Sequence, residues 1–325
     1  MDRKIGPEEH FAHEDTLGDS EVYFKGELWI EMKQRLLDVG EVRLRKMDEY
    51  GMEYMIVSLN SPAIQAIPDR ARAVDVARRA NDLLAEHLER RRDRFRGFAA
   101  LPMQDPDAAA KEAQRCVRDL GFVGALVNGY SQVGDADTAV YLDDPRYKAF
   151  WSAFAALDVS FYLHPREPLA SQSRIYDGHP WLLGSAWAFN VETSTHALRL
   201  MGSGLFDQYP GLTVILGHLG EGLPGMIWRV DHRIRTAPRG LPAKMPFAHY
   251  LSNNFYITTS GNFRTQTLID TMLEVGSDRI LFSTDYPFER VEDAALWFDD
   301  ASISETDRLK IGRTNAARLF RIGEA

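Results

Sequence analysis

The sequence predicts an α/β fold, a (β/α)8 barrel of the TIM type with insertions at its C-terminal face. Three observations lead there. About eight short apolar runs alternate with amphipathic helical stretches along the whole chain. The runs are apolar throughout rather than alternating, as strands of a parallel sheet buried on both faces must be. Several of them end directly on a polar residue with ligand chemistry, at the face where barrel enzymes build their sites. A doubly wound open sheet is the competing arrangement. It normally carries a glycine-rich phosphate turn after its first strand, and here Glu8-Glu9-His10 stands in that place.

The first candidate strand lies near residues 4–8, and the others fall at 54–59, 97–101, 122–127, 159–163, 213–217, 255–259 and 280–284. Between them the helices are punctuated. Asp105-Pro106 reads as an N-cap followed by proline in the first turn, and Gly121 closes that helix. Ala109, Ala113, Cys116 and Leu120 share its apolar face, so Cys116 reads as a core residue and not as a nucleophile. Asp144-Pro145 repeats the start signal ahead of Tyr147, Trp151, Phe154 and Leu157. Ala73, Ala77, Ala80, Leu84 and Leu88 form the buried stripe of an earlier helix. Two long segments, 11–40 and 165–190, interrupt the alternation after strand ends. They carry Tyr23, Phe24, Trp181, Trp187 and Phe189, which either line an apolar pocket or pack the insertions.

The 325 residues can hold two average domains, but one barrel of ~250 residues plus insertions fits as well, and a single barrel domain over 1–325 is expected. With 45% hydrophobic and 26% charged residues the chain has an ordinary globular composition. Its one cysteine excludes an intramolecular disulfide. The N-terminus MDRKIGPEEHF has no apolar h-region, and no run approaches the ~20 apolar residues of a membrane span, so a cytoplasmic protein without membrane contact is expected. A net charge of −9 argues against nucleic acid as a partner. The basic run Arg90-Arg91-Arg92, flanked by Glu89 and Asp93, reads as a solvated helix end.

Glu8-x-His10 ends the first candidate strand. With a side-chain period of two, Glu8 and His10 point to one side and Glu9 to the other. A carboxylate and an imidazole converging on the barrel axis are natural ligands for Zn2+ or a similar ion. Strand five ends in Phe161-Tyr162-Leu163-His164-Pro165, strand six in Gly217-His218-Leu219-Gly220-Glu221, and strand eight in Ser283-Thr284-Asp285-Tyr286-Pro287. A buried His or Asp without a partner costs several kcal/mol. One such residue fits a satisfied core group; four at equivalent strand ends point to a metal site. His87, His196 and His249 sit in helical contexts and read as structural, and His179 falls outside the ligand pattern.

These strand ends resemble those of the amidohydrolase superfamily. Its binuclear members carry His-x-His on strand one and a bridging lysine or glutamate on strand four; here those places hold Glu8-x-His10 and Leu126-Val127-Asn128, which favours one metal over two. The stretches around His164, His218, Arg229, Thr258 and Asp285 are similar to the metal-dependent hydroxybenzoate decarboxylases within it, over essentially the whole chain. The resemblance implies one divalent ion, Zn2+ or Mn2+, held by Glu8, His10, His164 and Asp285. It also implies His218 and Glu221 beside that ion or at the substrate, and a homotetramer. The implied reaction is the reversible, non-oxidative decarboxylation of an ortho-hydroxybenzoate such as 2,6-dihydroxybenzoate, a small aromatic carboxylate. On that reading Asp285 is both ligand and general acid, oriented by His218–Glu221. Tyr23 and Phe288 lie at the pocket, and Asn128 or Arg229 fixes the remaining substrate oxygens. Asp231 and His232 continue the Arg229 helix and brace the site. Pro7, Tyr23 and Tyr286 depart from the family's usual residues, and positions 23 and 286 are expected near the pocket. A hydrolase using the same ion with Asp285 as base is the rival enzyme, and a non-catalytic metal-binding barrel is the rival from another class.

Overall fold

A computed structural model describes residue 1 and residues 3–323. Eight parallel strands form one sheet in strict chain order: β1 (Lys4–Phe11), β2 (Met52–Leu59), β3 (Phe95–Ala100), β4 (Gly124–Asn128), β5 (Ser160–His164), β6 (Val214–Leu216), β7 (Phe255–Thr258) and β8 (Ile280–Leu281). The ends of the sheet meet at a seam between β1 and the segment after β8, where Asp285 N donates to Glu8 O at 3.0 Å and His10 N to Tyr286 O at 2.6 Å. The result is the expected barrel. In the register of β1 against β2 there is a shift between Gly6 and Glu9, where Pro7 has no N–H to offer a ladder.

Inside the barrel each strand contributes one side chain to a single buried cluster: Ile5, Ile56, Phe98, Leu126, Tyr162, Ile215, Tyr256 and Leu281. Phe320 and Ile322 pack into the same cluster. The barrel is therefore a filled core, and room for chemistry remains only at the C-terminal ends of the strands. Outside it, helices pack the other strand faces. Ala73, Ala77, Ala80, Leu84 and Leu88 are buried on the helix Arg70–Arg90, and Ala109, Ala113 and Cys116 on the helix Pro106–Arg118, as their spacing requires. Asp105 caps the latter, accepting from Asp107 N at 3.2 Å and Ala108 N at 3.1 Å. No helix among the described residues is long and apolar enough to cross a membrane.

His196 is a structural histidine, as expected. It is fully buried, and its Nε2 accepts a 3.0 Å hydrogen bond from Leu142 N. Burial, reinforced by the nearby Arg199 charge, lowers its pKa from 6.5 to about 3. The folded state thus keeps the ring neutral while the unfolded chain protonates it below pH 6.5. Stability from this residue is complete above that pH and falls as the pH drops toward 3. Denaturant titrations should show the stability advantage of wild type over His196→Gln shrinking by about 2–3 kcal/mol between pH 7 and pH 4.5. A constant difference across that range would refute the assignment.

Candidate metal centre and active site

Glu8 and His10 emerge on the same inner side of β1, and both are fully buried. His164 ends β5, and Asp285 follows β8 with its backbone at φ 69°. These four residues offer ligand atoms that all lie within 4.8 Å of one another. His10 Nε2 and Asp285 Oδ1 are 3.2 Å apart, and His164 Nε2 and Glu8 Oε1 3.4 Å. Yet Glu8 Oε1, His10 Nε2 and Asp285 Oδ1 are buried with no hydrogen-bond partner among the described residues. Buried polar atoms are almost always paired. Three that converge on one point without pairing fit a shared cation, and ligand distances of about 2.0–2.2 Å would span this gap.

The protein arranges each ligand from behind. Glu8 Oε2 accepts from the hydroxyls of Tyr162 and Ser260 and, at 3.0 Å, from Thr258 Oγ1, which leaves Oε1 alone facing the centre. A Cβ at Gly217 would come within 2.9 Å of Glu8 Oε2, so only glycine leaves the carboxylate its place. Ser58 Oγ lies 3.2 Å from His10 Nδ1 and orients that ring. Burial works against the charge on Glu8, but the surrounding His218, His164 and His10 overcome it and hold the carboxyl well below its usual range.

His218 and Glu221 follow β6 in an unusual turn. His218, Leu219 and Glu221 have φ values of 53°, 55° and 54°, with Gly220 and Gly222 also positive. Left-handed conformations are costly for residues with a Cβ. The turn brings the two side chains together: His218 Nδ1 lies 2.7 Å from Glu221 Oε1. His218 Nε2 faces the centre, 3.7 Å from Asp285 Oδ2 and 3.8 Å from Glu8 Oε1. Burial opposes protonation of this ring, but the charges of Glu221 and Glu8 prevail and raise its pKa well above 6.5.

A cavity of about 270 Å3 opens over His164, His218 and Asp285, walled by Tyr23, Phe24, Phe189 and Phe288, with Ser61 and Glu289 at its edge. Phe24 and Phe288 stack with centroids 6.2 Å apart, Tyr23 meets Phe189 edge-on at 5.9 Å, and Phe288 lies 5.5 Å from the His10 ring. A wider groove of about 580 Å3 between Trp187, Met226 and Asn262 meets it at His218.

Not every residue expected at the site is in it. Asn128 is buried and lines neither space; its Nδ2 donates to Asn60 O at 3.0 Å and Pro62 O at 3.3 Å, fixing the loop after β2. Arg229 is exposed on the helix Leu223–Thr236, outside the cavity of its own chain. Asp231 does not brace the site: it caps the helix Phe247–Asn254, accepting from Phe247 N at 2.7 Å and Ala248 N at 3.0 Å. His232 stacks on Trp228 instead, at 5.0 Å. Tyr286 lies outside the cavity, beneath the Arg43 guanidinium at 4.8 Å. Trp181 is exposed and meets the His179 ring edge-on at 5.0 Å. Sequence reasoning missed Tyr162, Thr258 and Ser260; the signal was there in hydroxyls on the inward face of otherwise apolar strands.

A buried carboxylate–imidazole set at the strand ends of a TIM barrel, its four ligand atoms within 4.8 Å of one another, defines a metal centre of the amidohydrolase type. The amidohydrolase family model matches residues 27–322, and the chain belongs to that family. It is similar over its full length to the gamma-resorcylate decarboxylase of a Rhizobium species, at 61% identity covering 100% of both chains, and to that of Rhodococcus jostii, at 62% identity covering 99% of each. Among solved structures, 2,6-dihydroxybenzoate decarboxylase in complex with 2,6-dihydroxybenzoate superposes with a TM-score of 0.97 at 61% identity, covering 99% of this chain and 100% of that one. The dihydroxybenzoic acid decarboxylase of a Polaromonas species, with bound manganese and the inhibitor 2-nitroresorcinol, superposes with a TM-score of 0.98 at 59% identity, covering 100% and 98%.

Proposed function

We propose that the chain is a carboxy-lyase that removes CO2 from 2,6-dihydroxybenzoate, reversibly and without oxidation, to give the phenol. The observation that carries this reading is the convergence of unpaired Glu8, His10 and Asp285 atoms beside an aromatic-walled cavity. The family relationship at about 60% identity to gamma-resorcylate decarboxylases supports it. Glu8, His10, His164 and Asp285 would hold one divalent ion, Mn2+ or Zn2+, and a homotetramer in the cytoplasm is the expected form. When bound, the ion supplies Lewis acidity and a template for an anionic substrate.

The remaining work falls to the chain. Direct carbon–carbon cleavage would leave an aryl anion, whereas protonating the ring carbon first avoids that at the expense of aromaticity. The site therefore needs a proton held over the ring and a dry pocket. Asp285 Oδ2 is the atom we assign to hold that proton, and His218 Nε2, 3.7 Å away, to deliver it. Glu221 keeps His218 charged and oriented through Nδ1. Phe24, Phe288, Tyr23 and Phe189 fix the ring plane and exclude water. The proton ends on the ring carbon and the carboxylate leaves as CO2.

A substrate panel tests the reading. Release of CO2 from 2,6-dihydroxybenzoate, with none from 4-hydroxybenzoate, is expected, because only the former places a hydroxyl beside the carboxylate. Turnover of esters or lactones without CO2 release would instead establish a hydrolase.

A further inference from the structure

Glu9 sits in β1 between two ligands but points the other way, fully buried and remote from the cavity. A carboxylate in such a place is strongly unfavourable unless its oxygens are bonded. Both are, and every side-chain partner comes from the segment after β8. Glu9 Oε1 accepts from Ser283 Oγ and Thr284 N, each at 3.0 Å; Oε2 accepts from Thr284 Oγ1 at 2.5 Å and Tyr286 N at 3.1 Å. These donors flank Asp285 on both sides. Asp285 itself holds a left-handed φ of 69°, which persists only when its surroundings enforce it. Two further features protect the arrangement. A Cβ at Gly6 would strike Glu9 Oε1, so that position is open only as glycine. Buried Arg43 donates to the His10 carbonyl at 2.5 Å and lies over the Tyr286 ring, tying the neighbouring residues to one layer.

We propose that Glu9 is a positioning residue: its carboxylate clamps the Ser283–Tyr286 backbone so that the Asp285 carboxyl faces the metal centre. The proposal rests on the reading of Asp285 as metal ligand and proton holder.

Thr284→Val removes one donor to Glu9 without changing side-chain size, Thr284→Ser restores it, and Glu9→Gln sets an amide NH2 against a backbone N–H. Metal-free proteins titrated with Mn2+ should show an affinity about 10–100-fold weaker for Thr284→Val and Glu9→Gln, with Thr284→Ser within about threefold of wild type. At saturating Mn2+, kcat should fall more than KM changes, since a displaced Asp285 affects the proton step more than ring binding. Asn254→Ala breaks bonds to Pro210 O and Leu212 O at the N-terminal end of β7, away from the ligands, and serves as the control for general destabilisation. Wild-type Mn2+ affinity in Thr284→Val and Glu9→Gln would overturn the proposal, as would an equal loss in Asn254→Ala. A wild-type protein that binds no Mn2+ would instead overturn the metal reading beneath it.

Discussion

Asp285→Asn is expected to lose decarboxylation by a factor of about 10²–10⁴ while the protein stays folded. The substitution preserves shape, and Asn tolerates the left-handed backbone of this position nearly as well as Asp does. What it removes is chemical: an amide cannot take a proton from His218 Nε2 and pass it on, and it is a poorer ligand than a carboxylate. It also places an NH2 donor or a neutral oxygen 3.7 Å from a ring that the surrounding carboxylates keep protonated. Steady-state kinetics with a CO2 readout, beside a thermal melt, measure both halves of the prediction. Activity within tenfold of wild type would remove Asp285 from the chemistry.

Chelation should give the second large effect. Protein stripped of metal is expected to be inactive and to regain turnover with Mn2+ or Zn2+ at one ion per chain. Stoichiometry follows from the donor set. Glu8 has one free oxygen, and β4 ends in Asn128, whose amide nitrogen is bonded to backbone carbonyls, so among the described residues β4 offers no bridging ligand for a second ion. Because an ion held only by the folded state stabilises it by mass action, the stripped protein should also unfold more easily, by about 2.7 kcal/mol for an ion present at a hundred times its dissociation constant. Calorimetry with and without added Mn2+ reads this directly. Full turnover in a chelated sample would sink the metal centre.

The barrel and the metal ligands were legible in the sequence for one physical reason. Apolar strands buried on both faces tolerate few polar residues, so Glu8, His10, His164, His218 and Asp285 stand out against their neighbours. Strand bounds were less legible where function intrudes. Residues 280–284 read as one strand, yet regular pairing covers only Ile280–Leu281 because Ser283 and Thr284 are held by Glu9. β6 stops at Leu216, one residue short of the expected end, ahead of the left-handed turn that opens at His218. Wall residues depended on how the insertions fold back: Tyr23 and Phe288 reach the cavity, while Tyr286 and Trp181 do not. The roles of Asn128 and Asp231 were not legible because each is set by backbone groups distant in sequence, and no local pattern encodes such partners.

The seam between β1 and β8 carries a consequence for how the chain lives and dies. Glu8 and His10 belong to the first strand and Asp285 to the segment after the last, and the backbone hydrogen bonds that zip the two together run between these same residues. An ion shared among them would be a non-covalent cross-link between the first strand of the barrel and the segment after its last, closing the loop from Glu8 to Asp285. Such a staple can form only after the last strand has been synthesised, so a nascent chain would gain nothing from metal until then. In the finished protein, ion loss would remove one of several contacts across that line, leaving the seam to its backbone hydrogen bonds and to Glu9.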